Sequence, residues 1–268
     1  MPKTLMVVVA HPDDEGLGVS GTMARARKAG DNVVVVCATR GEVGEIAAGI
    51  DATPETLGAV REQELRDAMA LLDVSDVRFL DYRDSGMAGT PENEDERSLF
   101  QAELIEVSMD LSAIMQEVNP DVVITWDASG GYGHPDHVKV HETATDAFDS
   151  YKMRSGRPAR LYYIALPVHL FEEMTTELRA QGIEWGNEEI RRSVLTFKRP
   201  SVTADIDVEE HMDVKREALY RHRSQMPPDR RFDRLSAELQ RKLYGREYFH
   251  RADPPVAEGE AAETWIFS

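Results

Sequence analysis

The chain has 268 residues, enough for one large domain or for one domain with an appended lobe. Its formal net charge of -18 argues against nucleic acid or an anionic membrane surface as a partner, because both need clustered Lys and Arg. The sequence has no apolar stretch long enough for a membrane span, no signal-peptide pattern and a single cysteine, so we expect a cytoplasmic protein without an internal disulfide.

The first predicted strand, over 5–10, is a continuous run of apolar and largely β-branched residues, which is typical of a strand buried on both faces of a parallel sheet. A helix is predicted over 15–29. The segment Ala10-His-Pro-Asp-Asp-Glu15 joins them and carries His11, Asp13 and Asp14. These side chains therefore lie where open α/β sheets bind their ligands, at the carboxyl end of a strand and the amino end of a helix.

The same turn has glycines with the spacing of a dinucleotide-binding fingerprint, at Gly16, Gly18 and Gly21. The setting argues against that function, because five residues separate the strand from the first glycine and the acids would repel a pyrophosphate. The acid expected after the next strand is replaced by Thr39 and Arg40, which would suit only a phosphorylated ribose. An NADP-binding protein is an alternative, but we interpret these glycines as allowing close packing of helix on sheet.

The rest of the chain continues the alternation, with strands predicted over 33–38, 77–81, 121–126 and 161–166 and helices over 57–72, 98–118, 137–153 and 168–181. This pattern predicts an α/β fold, a Rossmann-like and mainly parallel sheet with helices on both faces. Later elements are less regular, with a strand near 202–206 and helices near 209–223 and 233–244. We predict a metal-binding catalytic core over 1–166, a smaller C-terminal lobe of the same domain over 167–250 and an acidic tail over 251–268.

A second group of polar residues follows the strand at 121–126. Tyr132 lies on a glycine-flanked loop, and His134-Pro-Asp-His137 leads into a helix. Because right-handed crossovers bring the first and fourth turns to one sheet edge, His11, Asp14 and one of His134 or His137 could bind a single ion. Three protein ligands with an open fourth position are typical of catalytic zinc. Zn2+ is the predicted cofactor, and the ligands would also accept ferrous iron, Fe2+.

The remaining polar residues have chemical uses beside such an ion. Asp13 neighbours Asp14 and could take a proton from water that the ion has made more acidic, so we predict it as the general base. The histidine of the second group that does not bind metal could stabilise a developing oxyanion. The hydroxyl of Tyr132 could donate a further hydrogen bond there. Without the second group of polar residues, His11 would be interpreted as the end of a strand, and Asp13 or Asp14 as the cap of the next helix.

These two segments, Ala10-His-Pro-Asp-Asp-Glu15 and Gly131-Tyr-Gly-His-Pro-Asp-His137, resemble the motifs of the LmbE-like, or PIG-L, family of zinc-dependent N-deacetylases. The resemblance implies that the zinc ligands are His11, Asp14 and His137. It also implies that Asp13 is the base and that His134 is an electrostatic helper.

Four further segments, at 39–44, 61–64, 82–91 and 222–225, are similar to the mycothiol branch of that family. This branch comprises the mycothiol S-conjugate amidase and the N-acetylglucosaminyl-inositol deacetylase. The resemblance implies that Arg61 contacts the sugar or cyclitol of the substrate. Arg40 and His222, which lie in the other segments, are further candidates for substrate binding.

The predicted function is therefore metal-dependent hydrolysis of the amide bond of an N-acyl glucosamine. The leading substrates are a mycothiol S-conjugate and N-acetylglucosaminyl-inositol. Another N-acyl sugar or a natural-product intermediate is an alternative substrate. Two histidines and a carboxylate also form the site of non-haem iron oxygenases, although those sites usually lie on β-barrels. A non-catalytic metal-binding scaffold is the non-enzymatic alternative. The predicted partner is a small molecule, and assembly of identical chains is compatible with the sequence.

Overall fold

A computed structural model of the chain describes residues 1–165, 167–184, 186, 188–226, 229–257 and 259–268. Its strands are β1 (Thr4–Val9), β2 (Asn32–Cys37), β3 (Asp76–Phe79), β4 (Val122–Thr125), β5 (Arg160–Ile164), β6 (Ala204–Asp207) and β7 (Arg246–Asp253). Its helices are α1 (Glu15–Gly18), α2 (Ser20–Lys28), α3 (Leu57–Leu71), α4 (Leu104–Val118), α5 (Gly130–Gly133), α6 (Pro135–Ser155), α7 (Val168–Ala180), α8 (Glu188–Thr196), α9 (Met212–Leu219) and α10 (Ala237–Tyr244).

The strands form a seven-stranded sheet in the order β3-β2-β1-β4-β5-β7-β6. The first five strands of the chain are parallel, and β7 runs antiparallel to its neighbours β5 and β6. The predicted α/β class with a mainly parallel sheet is confirmed. Because β1 and β4 are adjacent, in the register Leu5↔Val122, the two turns that carry the polar motifs lie side by side at the carboxyl edge of the sheet.

Both faces of the central strand are buried, as predicted from its continuous apolar run. Leu5, Val7 and Val9 pack into one hydrophobic core, whereas Met6 and Val8 pack into a second on the opposite face of the sheet. A third apolar cluster is built by α7, α8, α9 and α10. No helix in the described part of the chain is long and apolar enough to cross a membrane.

The close packing expected of the glycines after β1 is present. A Cβ atom at Gly18 would lie 3.2 Å from Ile164 of β5, and one at Gly21 would lie 2.6 Å from Val208. The backbone N–H of Gly21 donates to the buried carboxylate of Glu247 in β7, which is 2.7 Å from the ammonium of Lys215. The interpretation of Gly18 and Gly21 as close-packing positions is confirmed. A Cβ atom at Gly16 would lie 2.6 Å from Leu219 of α9, so this glycine packs against a helix rather than the sheet.

Several predicted elements have different boundaries. The first helix is interrupted at Val19, where φ is -149°, and the helix predicted from 98 begins at Leu104 because Ser98 bridges to Arg83. The last helix before His222 ends at Leu219. Leu166, the predicted end of β5, lies outside the described residues. Strand β7 and helix α8 were not predicted, and the division into core, lobe and tail stays a prediction.

Candidate active site

The structure brings together the three residues predicted as metal ligands. His11 and Asp14 follow β1, and His137 lies in the first turn of α6, which follows β4. The Nδ1 atom of His11 is 3.2 Å from Nε2 of His137, and the latter is 3.2 Å from Oδ1 of Asp14. The other carboxylate oxygen of Asp14 is 3.8 Å from Nδ1 of His11. All three side chains are nearly or fully buried.

This donor set fits a divalent metal ion. Two ligand atoms at zinc-bonding distance in tetrahedral geometry are separated by about 3.3 Å, close to the distances found here. The Nδ1 atom of His137 donates to the carbonyl of Gly130, and Nε2 of His11 donates to the carboxylate of Asp136. In the neutral rings, the facing nitrogens therefore both carry lone pairs. Two lone pairs directed at each other beside the carboxylate of Asp14 favour a cation between them. Without a metal ion this cation is a proton, in agreement with the raised pKa of His11, and a bound metal ion would take its place.

Three further residues surround the ring of His11 and hold its orientation. Asp136 accepts hydrogen bonds from the backbone N–H and the hydroxyl of Ser85, and Oδ1 of Asp84 is 3.5 Å from Nε2 of His11. Burial lowers the pKa of His11, but the charges of Asp84 and Asp136 outweigh that effect and raise it well above its usual value. Sequence reasoning gave no role to these three supporting residues. The position of Asp136 between two motif histidines was the available signal.

His134 lies beside the predicted ligand set. Unlike His11 and His137, it is oriented by a backbone N–H group. One nitrogen atom from each of His11, His134 and His137 lies within 4.8 Å of the others, and His134 also groups with His11, Asp84 and Asp136. The Nδ1 atom of His134 accepts the backbone N–H of Asp136 at 3.2 Å, so Nε2 carries the proton of the neutral ring. Burial, followed by the positive charge of His11, lowers the pKa of His134 to about 2. His134 is thus a neutral hydrogen-bond donor.

Asp13 is held in an unusual backbone conformation, with φ of 109°. Both polar atoms of the Pro12–Asp13 peptide are bound by buried side chains: the carbonyl accepts from Nη2 of Arg61 at 2.6 Å, and the N–H donates to Oε2 of Glu15 at 3.0 Å. The other oxygen of Glu15 is 2.6 Å from Nε2 of the buried His222. We call these three buried side chains, Arg61, Glu15 and His222, the peptide clamp.

The clamp also sets the electrostatic environment of Asp13. Nη2 of Arg61 is 3.3 Å from Oδ2 of Asp13, whose side chain keeps 22% exposure. Burial raises the pKa of Asp13 above its usual value, although the charge of Arg61 acts in the opposite direction. The structure thus places Arg61 and His222, both predicted to bind substrate, in contact with groups of the site itself. Their contact with substrate stays a prediction.

Two cavities meet at the site. The polar cavity, of about 620 Å³, is lined by groups that include His11, Asp84, His134 and Gln225. The apolar cavity, of about 280 Å³, lies on the other side, and Asp13, Asp14 and Tyr132 line both.

Tyr132 and Arg40 occupy very different positions relative to these cavities. The ring of Tyr132 is 5.1 Å from that of His137, which puts it at the boundary between the cavities. Arg40 pairs with Glu62 and Asp81 and is absent from the described lining of both cavities. The roles predicted for Tyr132 in catalysis and for Arg40 in substrate binding stay predictions.

Comparisons with known proteins show which family the chain is similar to. Residues 6–148 match the family described as PIG-L, GlcNAc-PI de-N-acetylase. The chain is 38% identical over 263 residues to the 1D-myo-inositol 2-acetamido-2-deoxy-alpha-D-glucopyranoside deacetylase of Acidothermus cellulolyticus, covering 93% of this chain and 88% of that protein. It is 36% identical over 283 residues to deacetylase 2 of the same name from Catenulispora acidiphila, covering 94% and 89%.

A solved structure shows the same fold. The N,N'-diacetylchitobiose deacetylase from Pyrococcus horikoshii, complexed with its inhibitor MPG, is similar with a TM-score of 0.61 and 21% sequence identity. The match covers 93% of this chain and 83% of that protein. At this identity the likeness concerns the fold alone.

Proposed function

Because the chain belongs to the PIG-L family of de-N-acetylases, we propose that it is a zinc-dependent hydrolase that removes the acetyl group of 1D-myo-inositol 2-acetamido-2-deoxy-α-D-glucopyranoside. The grouping of His11, Asp14 and His137 beside the partly exposed carboxylate of Asp13 carries the proposal. The names of the relatives support the acetyl compound over a mycothiol S-conjugate as the substrate. These three side chains would hold the metal, with Asp13 and His134 facing the reacting amide.

Zinc in this position would make a water molecule more acidic and would polarise the amide carbonyl. Asp13 accepts the proton of that water as it attacks the carbonyl carbon, because its carboxylate is partly exposed next to the ligand Asp14. Nε2–H of His134 donates to the carbonyl oxygen as negative charge develops there. Because this donor is preorganised by the Asp136 N–H, no rearrangement is needed in the transition state.

Breaking the C–N bond requires a proton on the leaving nitrogen. The proton that Asp13 has accepted is the one the amine needs, and we assign its delivery to Asp13. His134 meanwhile keeps its hydrogen bond to the oxyanion. Water supplies two protons: Asp13 relays one to the leaving nitrogen, and the other stays on the acetic acid until the acid transfers it to the released amine. The products are therefore acetate and the glucosaminyl ammonium ion, and Asp13 returns to the carboxylate.

The proposal is tested by measuring the release of free amine by the zinc-loaded full chain. The acetyl compound and a mycothiol S-conjugate are offered separately, with chelator-treated protein as the control. We expect metal-dependent release from the acetyl compound with a higher kcat/KM than from the conjugate. A preference for the conjugate would reassign the substrate, and no release from either would refute the proposed activity.

The peptide clamp yields a prediction for Glu15, whose carboxylate bonds to the Asp13 N–H and to His222 rather than to a proposed metal ligand. Glu15→Leu removes the acceptor of the Asp13 N–H, and relaxation of the strained backbone should turn the carboxylate of Asp13 away from the water. Strain of this kind costs about 1–3 kcal/mol, so we expect kcat to fall about ten- to a hundredfold with little change in KM. Steady-state kinetics and zinc content would be measured together.

Glu15→Gln is the matched control, because its amide oxygen can still accept the Asp13 N–H. We expect it to retain more of the wild-type kcat than Glu15→Leu does, at equal zinc content. Equal kcat in Glu15→Leu and the wild type would show that the clamp does not position Asp13. Thermal unfolding of both variants separates loss of the fold from loss of position.

A further inference from the structure

The apolar cavity is larger than the removal of an acetyl group requires. Its walls come from α1, β5, α7, α8, α9, α10 and β7, and among the described residues they include Leu170, Met174, Val194, Phe232 and Leu243. Its volume of about 280 Å³ far exceeds the space that one methyl group needs. Protein interiors hold few voids larger than a water molecule, and an apolar cavity of about 150 Å³ is enough to bind benzene.

The charged residues on the wall of this cavity already have partners. Arg199 donates to the carbonyl of Gly131, and Arg246 donates to Asp205 at 2.9 Å. Glu247 is 2.7 Å from Lys215. Arg199 also lies 3.8 Å from the carboxylate of Asp127. The two aspartates that the cavities share pair with Arg61 and His137, so the described wall offers no unpartnered charge. Its chemistry favours an uncharged, apolar occupant over a second sugar or an anion.

The position of the catalytic groups decides which part of the substrate enters the apolar cavity. His11 and His134 line the polar cavity, which also suits the hydroxyl groups of a sugar and a cyclitol. The scissile amide must lie where the two cavities meet, beside Asp13 and Tyr132. With the amine side of the amide in the polar cavity, the acyl side points into the apolar one.

We propose that the apolar cavity is an acyl-chain site and that the enzyme hydrolyses N-acyl glucosamines whose acyl group is a linear apolar chain longer than acetyl. This inference rests on the proposed function, because it assigns the second half of the same substrate. An acetyl group occupies only the mouth of the cavity, whereas an added chain exchanges water contacts for contacts with Leu170 and Met174.

The test is a series of N-acetyl, N-butanoyl and N-hexanoyl glucosaminyl-inositols hydrolysed by the zinc-loaded full chain. Each buried methylene strengthens binding by about fourfold, so we expect kcat/KM for the hexanoyl compound to exceed that for the acetyl compound by at least about tenfold. A kcat/KM that is unchanged or falls along the series would overturn the inference and leave the deacetylase activity intact.

Met174→Trp fills part of the cavity and should lower the hexanoyl-to-acetyl ratio of kcat/KM about tenfold or more. Val194→Phe adds less volume and should lower the ratio to a smaller degree, which keeps the test valid if the larger change impairs folding. Met109→Trp is the matched control, because Met109 is 62% exposed on α4 and its change should leave the ratio unaltered. An unchanged ratio in both cavity variants would overturn the inference.

If neither compound is hydrolysed, the proposed function fails and calorimetric binding decides the inference separately. Tighter binding of the hexanoyl compound than of the acetyl compound, reduced in Met174→Trp, supports the acyl-chain site. Equal binding of the two compounds refutes it.

Discussion

Replacing Asp13 by Asn is expected to leave zinc binding intact and to lower kcat by about a hundred- to ten-thousandfold, the usual contribution of a positioned general base. The amide has the shape of the carboxylate but cannot accept a proton from water. It can still accept a hydrogen bond from Arg61, which is 3.3 Å from Oδ2 of Asp13 in the wild type. The Pro12–Asp13 peptide therefore keeps both of its bonds to the clamp.

Two measurements test this expectation on the same samples. The zinc-to-protein ratio should equal that of the wild type, and amine release from the acetyl compound should be almost absent. Asp73→Asn is a suitable control, because Asp73 also has a positive φ, its side chain is 83% exposed and it pairs with Arg27. Near-normal turnover by Asp13→Asn would refute the base assignment, and loss of zinc would make Asp13 a contributor to the metal site.

The parallel core of the fold was predictable because its strands are uniform. Residues 5–10 are apolar at every position, and both faces of β1 are indeed buried. Strand β7 was missed because one of its buried positions is Glu247, which breaks the alternation of apolar and polar residues. Only the folded chain reveals that Lys215 and two backbone N–H groups of α2 satisfy this carboxylate. A buried charge satisfied from distant segments leaves no periodic signal.

The same distinction applies to the site. Motif spacing and the adjacency of β1 and β4 bring His11 and Asp14 beside the two histidines of the second motif. Only the family resemblance singled out His137 over His134 as the ligand. The contact between Glu15 and His222 spans 207 residues, and no local pattern connects them. A buried Arg61 was equally hidden, because an arginine on a helix with acidic neighbours is ordinarily solvated. The candidate catalytic and ligand residues could thus be predicted from local motifs, whereas the buried contacts that hold them in place required the tertiary structure.

Asp14→Ala is expected to lose both zinc and turnover. Oδ1 of Asp14 is 3.2 Å from Nε2 of His137, and Oδ2 accepts the backbone N–H groups of Ala10 and His11. The substitution therefore removes a proposed ligand and the bonds that fix the turn carrying His11, a second proposed ligand. Loss of an outer-sphere partner alone weakens metal binding about 10–100-fold, so loss of a direct ligand should weaken it by more than about a hundredfold.

Asp136→Asn and His134→Ala distinguish a direct metal ligand from a residue that only orients a ligand and from a residue that contacts the substrate. Asp136 orients His11, so Asp136→Asn should weaken zinc binding by about 10–100-fold without abolishing it. His134→Ala should keep the metal and lower kcat, because His134 is assigned to the oxyanion. Zinc affinity would be measured by competition with a chelator of known affinity. Retention of zinc by Asp14→Ala together with its loss in His134→Ala would replace the proposed ligand set by His11, His134 and His137, whose ring nitrogens also lie within 4.8 Å of one another.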